Sequence, residues 1–222
     1  TAVNDAPLAS GSATLAATLE DTLSPAGATV SALFGANFSD VADAGNPAHN
    51  QLAGVAVRGQ SVVAAQGRWQ FSTDGGGSWS NFGAISDANA MSVGVNDRLR
   101  FLPGTNFNGT PTNLSVRLID NSAAVTGGNT VNVSAHGGAT AFSDGVVATS
   151  TLITSVSDAP AGANNTVTTL EQVSYTFTAA DFGYTDPDDA PANVFTAVTI
   201  TTLPGAGTLQ NNGVNVTVGQ SV

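Results

Sequence analysis

The sequence predicts an all-β chain built as antiparallel β-sandwiches in tandem, the second one incomplete, and three observations predict it. Short runs alternating apolar with polar residues recur along most of the 222 residues, the period of a half-buried strand. Between them lie Gly, Asn, Asp and Pro clusters such as "PGTNFNG" and "LQNNG", which supply positive φ and preset turns. Three motifs also occur twice in one order, roughly 150 residues apart, the mark of a tandem repeat. They are "VNDAP" from Val3 and "VSDAP" from Val156; "TLED" from Thr18 and "TLEQ" from Thr169; and "ANFSDVAD" from Ala36 and "ADFGYTDPDD" from Ala180.

The strands follow from the alternation. Trp69 and Phe71, then Leu99 and Phe101 between Arg98 and Arg100, then Leu114, Val116 and Leu118 each place one face inward. Val173, Tyr175 and Phe177 do the same with Ser174 and Thr176 between them. "NTVNVS", "TSTLITSV", "VFTAVTI" and "VNVTV" continue the pattern with the Thr and Val that suit a pleated surface. The best helical stretch, 31–38, is one or two turns. The first unit is expected at 1–156 and the second at 157–222. The second has room for at most four or five strands, where a sandwich usually needs about 7 strands and about 100 residues.

Composition narrows function. The chain has no Lys, five Arg, fourteen Asp and two Glu, and a net charge of -11. All five Arg fall between Arg58 and Arg117, and from Leu118 onward there are eight acids and no Lys or Arg. Nucleic acid and anionic membrane surfaces are therefore poor partners, and no apolar run of about 18 residues is available to insert into a bilayer. The "TAVNDAP" start lacks a secretion signal and reads as the beginning of an internal fragment. With no Cys, neither disulfides nor thiolate metal sites hold the fold. Any staple must use oxygen ligands.

Two constellations stand out. "STDGGGSW" at 72–79 resembles the Asp-box turn of sialidase-type propellers. It also explains itself as a β-hairpin: Asp74 accepts backbone N–H groups, the Gly run allows positive φ, and Trp79 covers the base. A single box without an arginine cluster argues against a sialidase. His49 and His136 have no metal-ligand spacing, and no nucleophile elbow is present, so the chain is read as a non-enzyme. The second constellation is acidic. Asp181, Asp186, Asp188 and Asp189 lie within nine residues, with no basic residue nearby. Such carboxylates suit calcium, which takes about 6 to 8 oxygens in a forgiving geometry. Glu171, Asp158, Glu20 and Asp120 are candidates for the other half of a site.

Taken together, "VNDAP", "TLED" and "FSDVAD", repeated as "VSDAP", "TLEQ" and "DPDD", resemble the cadherin-like, Ig-like repeats of very large bacterial surface adhesins, RTX-type and biofilm-associated. "RWQFSTDGGGSW" through "DRLRFLPGTNFNGTP" and "VRLID" resembles a repeat type in the same proteins. The resemblance implies tandem sandwiches stiffened by calcium at module junctions, export to the cell surface, and adhesion to cells or surfaces. By residue it implies a junction using Glu20, Asp158, Asp186 and Asp188, the last two standing where cadherins place Asp-x-Asp. Asn4, Asp5, Asp40 and Asp43 are the first unit's equivalents. Two departures stand: Asp40 and Asp43 are separated by two residues instead of one, and Ser157 replaces the linker Asn.

The expectation is an extracellular structural repeat of an adhesin whose partners are adjacent repeats of the same chain, with surface glycans or other adhesin chains beyond them. The competing reading is a carbohydrate-binding module using Trp69 and Trp79.

Overall fold

The computed structural model describes residues 3–47 and 49–222; Thr1 and Ala2, at the start of the first expected unit, lie outside the described residues. The chain divides into two compact units, Thr1–Val156 and Ser157–Val222. It is mostly β.

Fourteen strands are described in unit 1: β1 (Leu8–Ala9), β2 (Ser12–Thr14), β3 (Thr18–Leu19), β4 (Ala28–Thr29), β5 (Phe38–Ser39), β6 (Leu52–Gln60), β7 (Gly67–Ser72), β8 (Ser80–Asn81), β9 (Ala90–Gly94), β10 (Arg98–Pro103), β11 (Leu114–Asp120), β12 (Thr130–Val131), β13 (Val147–Ser150) and β14 (Ile153–Thr154). A four-stranded sheet runs β4-β10-β7-β8 and a six-stranded sheet runs β12-β9-β6-β11-β13-β2. The inward residues of both sheets form one core, with Trp69, Phe71, Leu99 and Phe101 from the first and Val55, Val57, Val93, Leu114, Val116 and Leu118 from the second. The alternation seen in the sequence is thus the core pattern here.

β6 and β11 are buried on both faces because the loop after β11 covers the outer side. Ala56, Ala90, Ile119 and Val133 form a second, smaller cluster there. Next to it, Arg58 chelates Asp87 through Nε and Nη2, and Arg117 Nε lies 3.6 Å from the same carboxylate. Arg58 holds Asp87 below the usual carboxylate range, the hydrogen bond outweighing its partial burial. The short helix α1 (Val30–Phe34) is capped by Thr29, whose Oγ1 accepts the Ala32 N–H, and runs into a 3-10 turn at Gly35–Asn37. Val30 and Phe34 anchor it in the core.

Unit 2 departs from expectation. Among its described residues the only strands are β15 (Gln210–Asn211) and β16 (Val214–Asn215), and one 3-10 turn spans Ala179–Phe182. Val173, Tyr175 and Phe177, expected as a strand with a buried face, lie in no strand and remain exposed. The "VFTAVTI" run contributes only the isolated bridge Thr199↔Ser221. Val216 is the one hydrophobic residue of unit 2 that is buried among those described. Alternation forms a strand only where a neighbour takes its N–H groups and a second layer covers its apolar face. The 173–177 run lies in no ladder, and its rings form a chain of contacts instead: Tyr175 edge-on to Phe177, Phe177 tilted against Phe182, and Phe182 stacked on Phe195.

Candidate cation site

The acidic motifs of unit 1 meet where its first residues pass β5. β1 pairs with β5 (Leu8↔Ser39), which sets Asn4 and Asp5 beside the loop that follows β5. There the Asp5 N–H donates to Asp43 Oδ2 at 2.9 Å. Asp120, fully buried at the end of β11, accepts from Asn4 Nδ2 at 3.3 Å and from the Ser122 N–H at 2.8 Å. Asp40 is only 8% exposed, and neither of its carboxylate oxygens has a hydrogen-bond partner. The Asn4 Oδ1 acceptor is also buried and unpartnered. Burial, then the charges of Asp43, Asp120 and Asp5, push the Asp40 carboxyl above its ordinary value of 3.8; the nearby Asp43 backbone offsets only part of this. Asp5, Asp40, Leu8, Val41 and Gly138 line a cleft of about 280 Å³ at this point.

Unit 2 repeats the arrangement. The bridge Ala161↔Thr185 stands for Leu8↔Ser39. The Asp158 N–H donates to Asp189 Oδ1 at 2.8 Å, as Asp5 does to Asp43. Asp186, 6% exposed, takes the place of Asp40. Its Oδ2 accepts the Asn193 N–H at 2.9 Å, while Oδ1 is buried without a partner. Asn193 Nδ2 also bonds Asp189 Oδ2. The Tyr184 hydroxyl donates to the Asn193 carbonyl at 2.8 Å, and burial followed by the Asp186 charge raises its pKa.

The sequence places Asp189 in the acidic cluster without giving it a role. The resemblance pairs Asp186 with Asp188, but the residue matching Asp43 is Asp189, and Asp188 is half-buried beside it. The signal was present: Asp40-x-x-Asp43 and Asp186-x-x-Asp189 have the same spacing, so the apparent departure at Asp40 and Asp43 is the rule of both units.

Glu20 is 2% exposed. Its Oε1 accepts the Val156 N–H at 2.6 Å and its Oε2 accepts from Asn108 Nδ2 at 3.1 Å. Its sequence counterpart, Glu171, is exposed. Among the described residues no three His, Cys, Asp or Glu side chains are arranged to hold a metal ion as they stand. The donor chemistry nonetheless suits a hard cation. Every orphaned group named above in the two clusters is an oxygen acceptor.

The glycine-rich hairpin is self-contained. Asp74 accepts from the Ser78 N–H at 2.9 Å, Ser78 Oγ at 2.7 Å and Ser72 Oγ at 2.7 Å, which holds its carboxyl far below the usual range. Gly75 and Gly76 supply φ of 77° and 105°. Trp69 is 2% exposed, donates to the Thr112 carbonyl at 2.9 Å and packs edge-on against Phe101. It has no face to offer a sugar. Trp79 is half-buried, with Nε1 bonded to the Gly76 carbonyl and the Arg100 guanidinium 4.2 Å above its ring. Arg98 and Arg100 are spent on the backbone carbonyls of Ala26, Gly27 and Pro25 and on the Gln70 side chain.

Comparison with protein-family models, curated protein sequences and solved structures finds no match to the chain. No helix among the described residues is long and apolar enough to cross a membrane.

Proposed function

We propose that the chain is a non-enzymatic structural segment of a secreted or cell-surface adhesin, made of one cadherin-like sandwich repeat and an incomplete second one, in which calcium fastens the segment around Asp5 and the segment around Asp158 each to its own unit's Asp-x-x-Asp loop. One observation carries the reading: the same cluster occurs twice, with the same backbone-to-carboxylate bond and with orphaned, buried carboxylate oxygens on the equivalent residues Asp40 and Asp186.

A buried carboxylate oxygen without a donor costs stability, and the recurrence of such an oxygen on Asp40 and on Asp186 calls for a shared partner. Calcium supplies it. In unit 1 the ligands are Asp40, Asp43, Asn4 and Asp120, with Asp5 adjacent; in unit 2 they are Asp186, Asp189 and Asp158, with Asp188 within reach. Once bound, the ion ties the segment around Asp5 or Asp158 to the loop that carries Asp40 or Asp186, which stiffens that part of each unit. Partners are then neighbouring repeats of the same chain, with glycans or other adhesin chains as binding targets beyond this segment.

Isothermal titration of the whole chain with calcium chloride tests this. Binding heat is expected, lost in part in Asp40→Asn and in Asp186→Asn and wholly in the double variant. No heat and no thermal shift at millimolar calcium would sink the reading. The carbohydrate alternative retains only Trp79, and glycan binding that survives chelation and disappears in Trp79→Ala would favour it.

A further inference from the structure

The second and third strands of unit 1 run parallel to its last two along one seam. β2 pairs with β13 at Ser12↔Ala148, Ala13↔Thr149 and Thr14↔Ser150, and β3 pairs with β14 at Thr18↔Ile153 and Leu19↔Thr154. The gap between the two ladders is closed by backbone bonds from the Leu15 N–H to the Ser150 carbonyl (2.9 Å) and from the Thr18 N–H to the Leu152 carbonyl (3.1 Å). Thr151 Oγ1 adds a bond to the Ala16 carbonyl (3.3 Å). Beyond the second ladder, the Glu20 N–H reaches the Thr154 carbonyl (3.1 Å), and the Glu20 carboxylate takes the N–H of Val156, the last residue of the unit. Residues 12–20 are therefore bonded to residues 148–156 along their whole length. Ala13, Leu15, Glu20, Thr149, Thr151 and Ile153 are all buried, which shields one face of the seam from competing water.

This topology decides how the unit responds to tension. A pull on the N-terminal side reaches the seam at its Ser12 end, and a pull on the C-terminal side reaches it at its Val156 end. Because the strands are parallel, those are opposite ends. Tension slides one strand along the other and strains the bonds together, whereas a pull at one end breaks them in turn. We propose that the seam is a mechanical clamp that makes unit 1 resist stretching along the chain by shear.

The clamp does not rest on the calcium reading. Asn4, Asp5, Asp40, Asp43 and Asp120 form none of its bonds. Glu20 belongs to it through protein donors alone.

The chain has no Cys, so handles can be placed freely for single-molecule force spectroscopy on the whole chain. Ser10→Cys with Ser157→Cys pulls the seam in shear, and Ser10→Cys with Val146→Cys pulls both strands from the same end. All three sites are exposed. In chelator as in calcium chloride, the shear pair is expected to rupture at a force at least about twofold higher, forced rupture being set by the unfolding barrier along the pulled direction. Glu20→Ala is expected to lower the shear force and leave the same-end force unchanged, because unzipping starts at the far end. Thr154→Val, which keeps the side chain's shape and deletes its bond to the Thr18 carbonyl, does the same to a smaller extent if Glu20→Ala does not fold. Equal forces in the two geometries, or a shear advantage seen only with calcium, would overturn the proposal.

Discussion

Replacing Asp40 by Asn should stabilise the chain in chelator and destabilise it relative to the parent in calcium. In the parent without metal, Asp40 is a buried carboxylate with no hydrogen-bond donor and with Asp43, Asp120 and Asp5 as neighbours. An unsatisfied buried polar group costs about 1–3 kcal/mol. Asn removes the charge and adds an NH2 that can donate to those neighbouring carboxylates. For a unit of this size each kcal/mol moves Tm by about 2–4 °C, so the variant should melt about 2–12 °C higher in EDTA. A bound ion reverses the order. At a free concentration of about 1,000 times Kd, calcium adds about 4.1 kcal/mol to the parent and little to the variant, more than the whole advantage of Asn without metal.

The pH dependence has a definite sign. Because the folded Asp40 pKa lies above the unfolded 3.8, the folded state holds its proton longer, and metal-free stability falls as pH rises from 3.8 through the folded value. Asp40→Asn should flatten that part of the profile. Differential scanning calorimetry in EDTA and in calcium chloride reads all of this. A variant less stable than the parent in EDTA, or calcium raising both proteins equally, would refute the reasoning.

Other outcomes follow from the rest of the fold. Asp74, held far below 3.8 by Ser78 and Ser72, contributes stability above pH 3.8 that is lost as pH falls toward its folded value. Asp74→Asn should remove that acid-side loss in a Tm-against-pH series, and an unchanged acid limb would count against it. Trp69→Ala should cost about 3–5 kcal/mol in urea unfolding, as a buried aromatic with its N–H bonded; a loss under about 1 kcal/mol would mean the core is not packed around it. Hydrogen exchange read by mass spectrometry should find β6, β9 and β11 the slowest segments. Most amides of residues 164–178, which lie outside any strand, should exchange early. Protection there equal to that of β11 would show that these residues are paired in solution.

Local order was legible in the sequence wherever it depends on neighbours along the chain. The hairpin at Asp74, the positive φ of Gly75 and Gly76, the one-turn helix before Phe38 and the alternation of β7, β10 and β11 are all written in residue spacing. So are the repeated acidic motifs, including the Asp-x-x-Asp spacing that identifies Asp189 as the partner of Asp158. Tertiary structure alone decided which alternating runs became strands. Leu114 to Leu118 and Val173 to Phe177 read alike, yet only the first has partners on both edges and a covering sheet. It also decided that Trp69 is core while Trp79 is half-exposed, that Glu20 meets Val156, and that Asp40 faces three other carboxylates with no donor. The physical reason is the same in each case: periodicity is a property of a short stretch, but burial, pairing and charge environment depend on surfaces contributed by residues far off in the chain, Thr112 and Phe101 for Trp69, Asp5 and Asp120 for Asp40, and Val156 for Glu20.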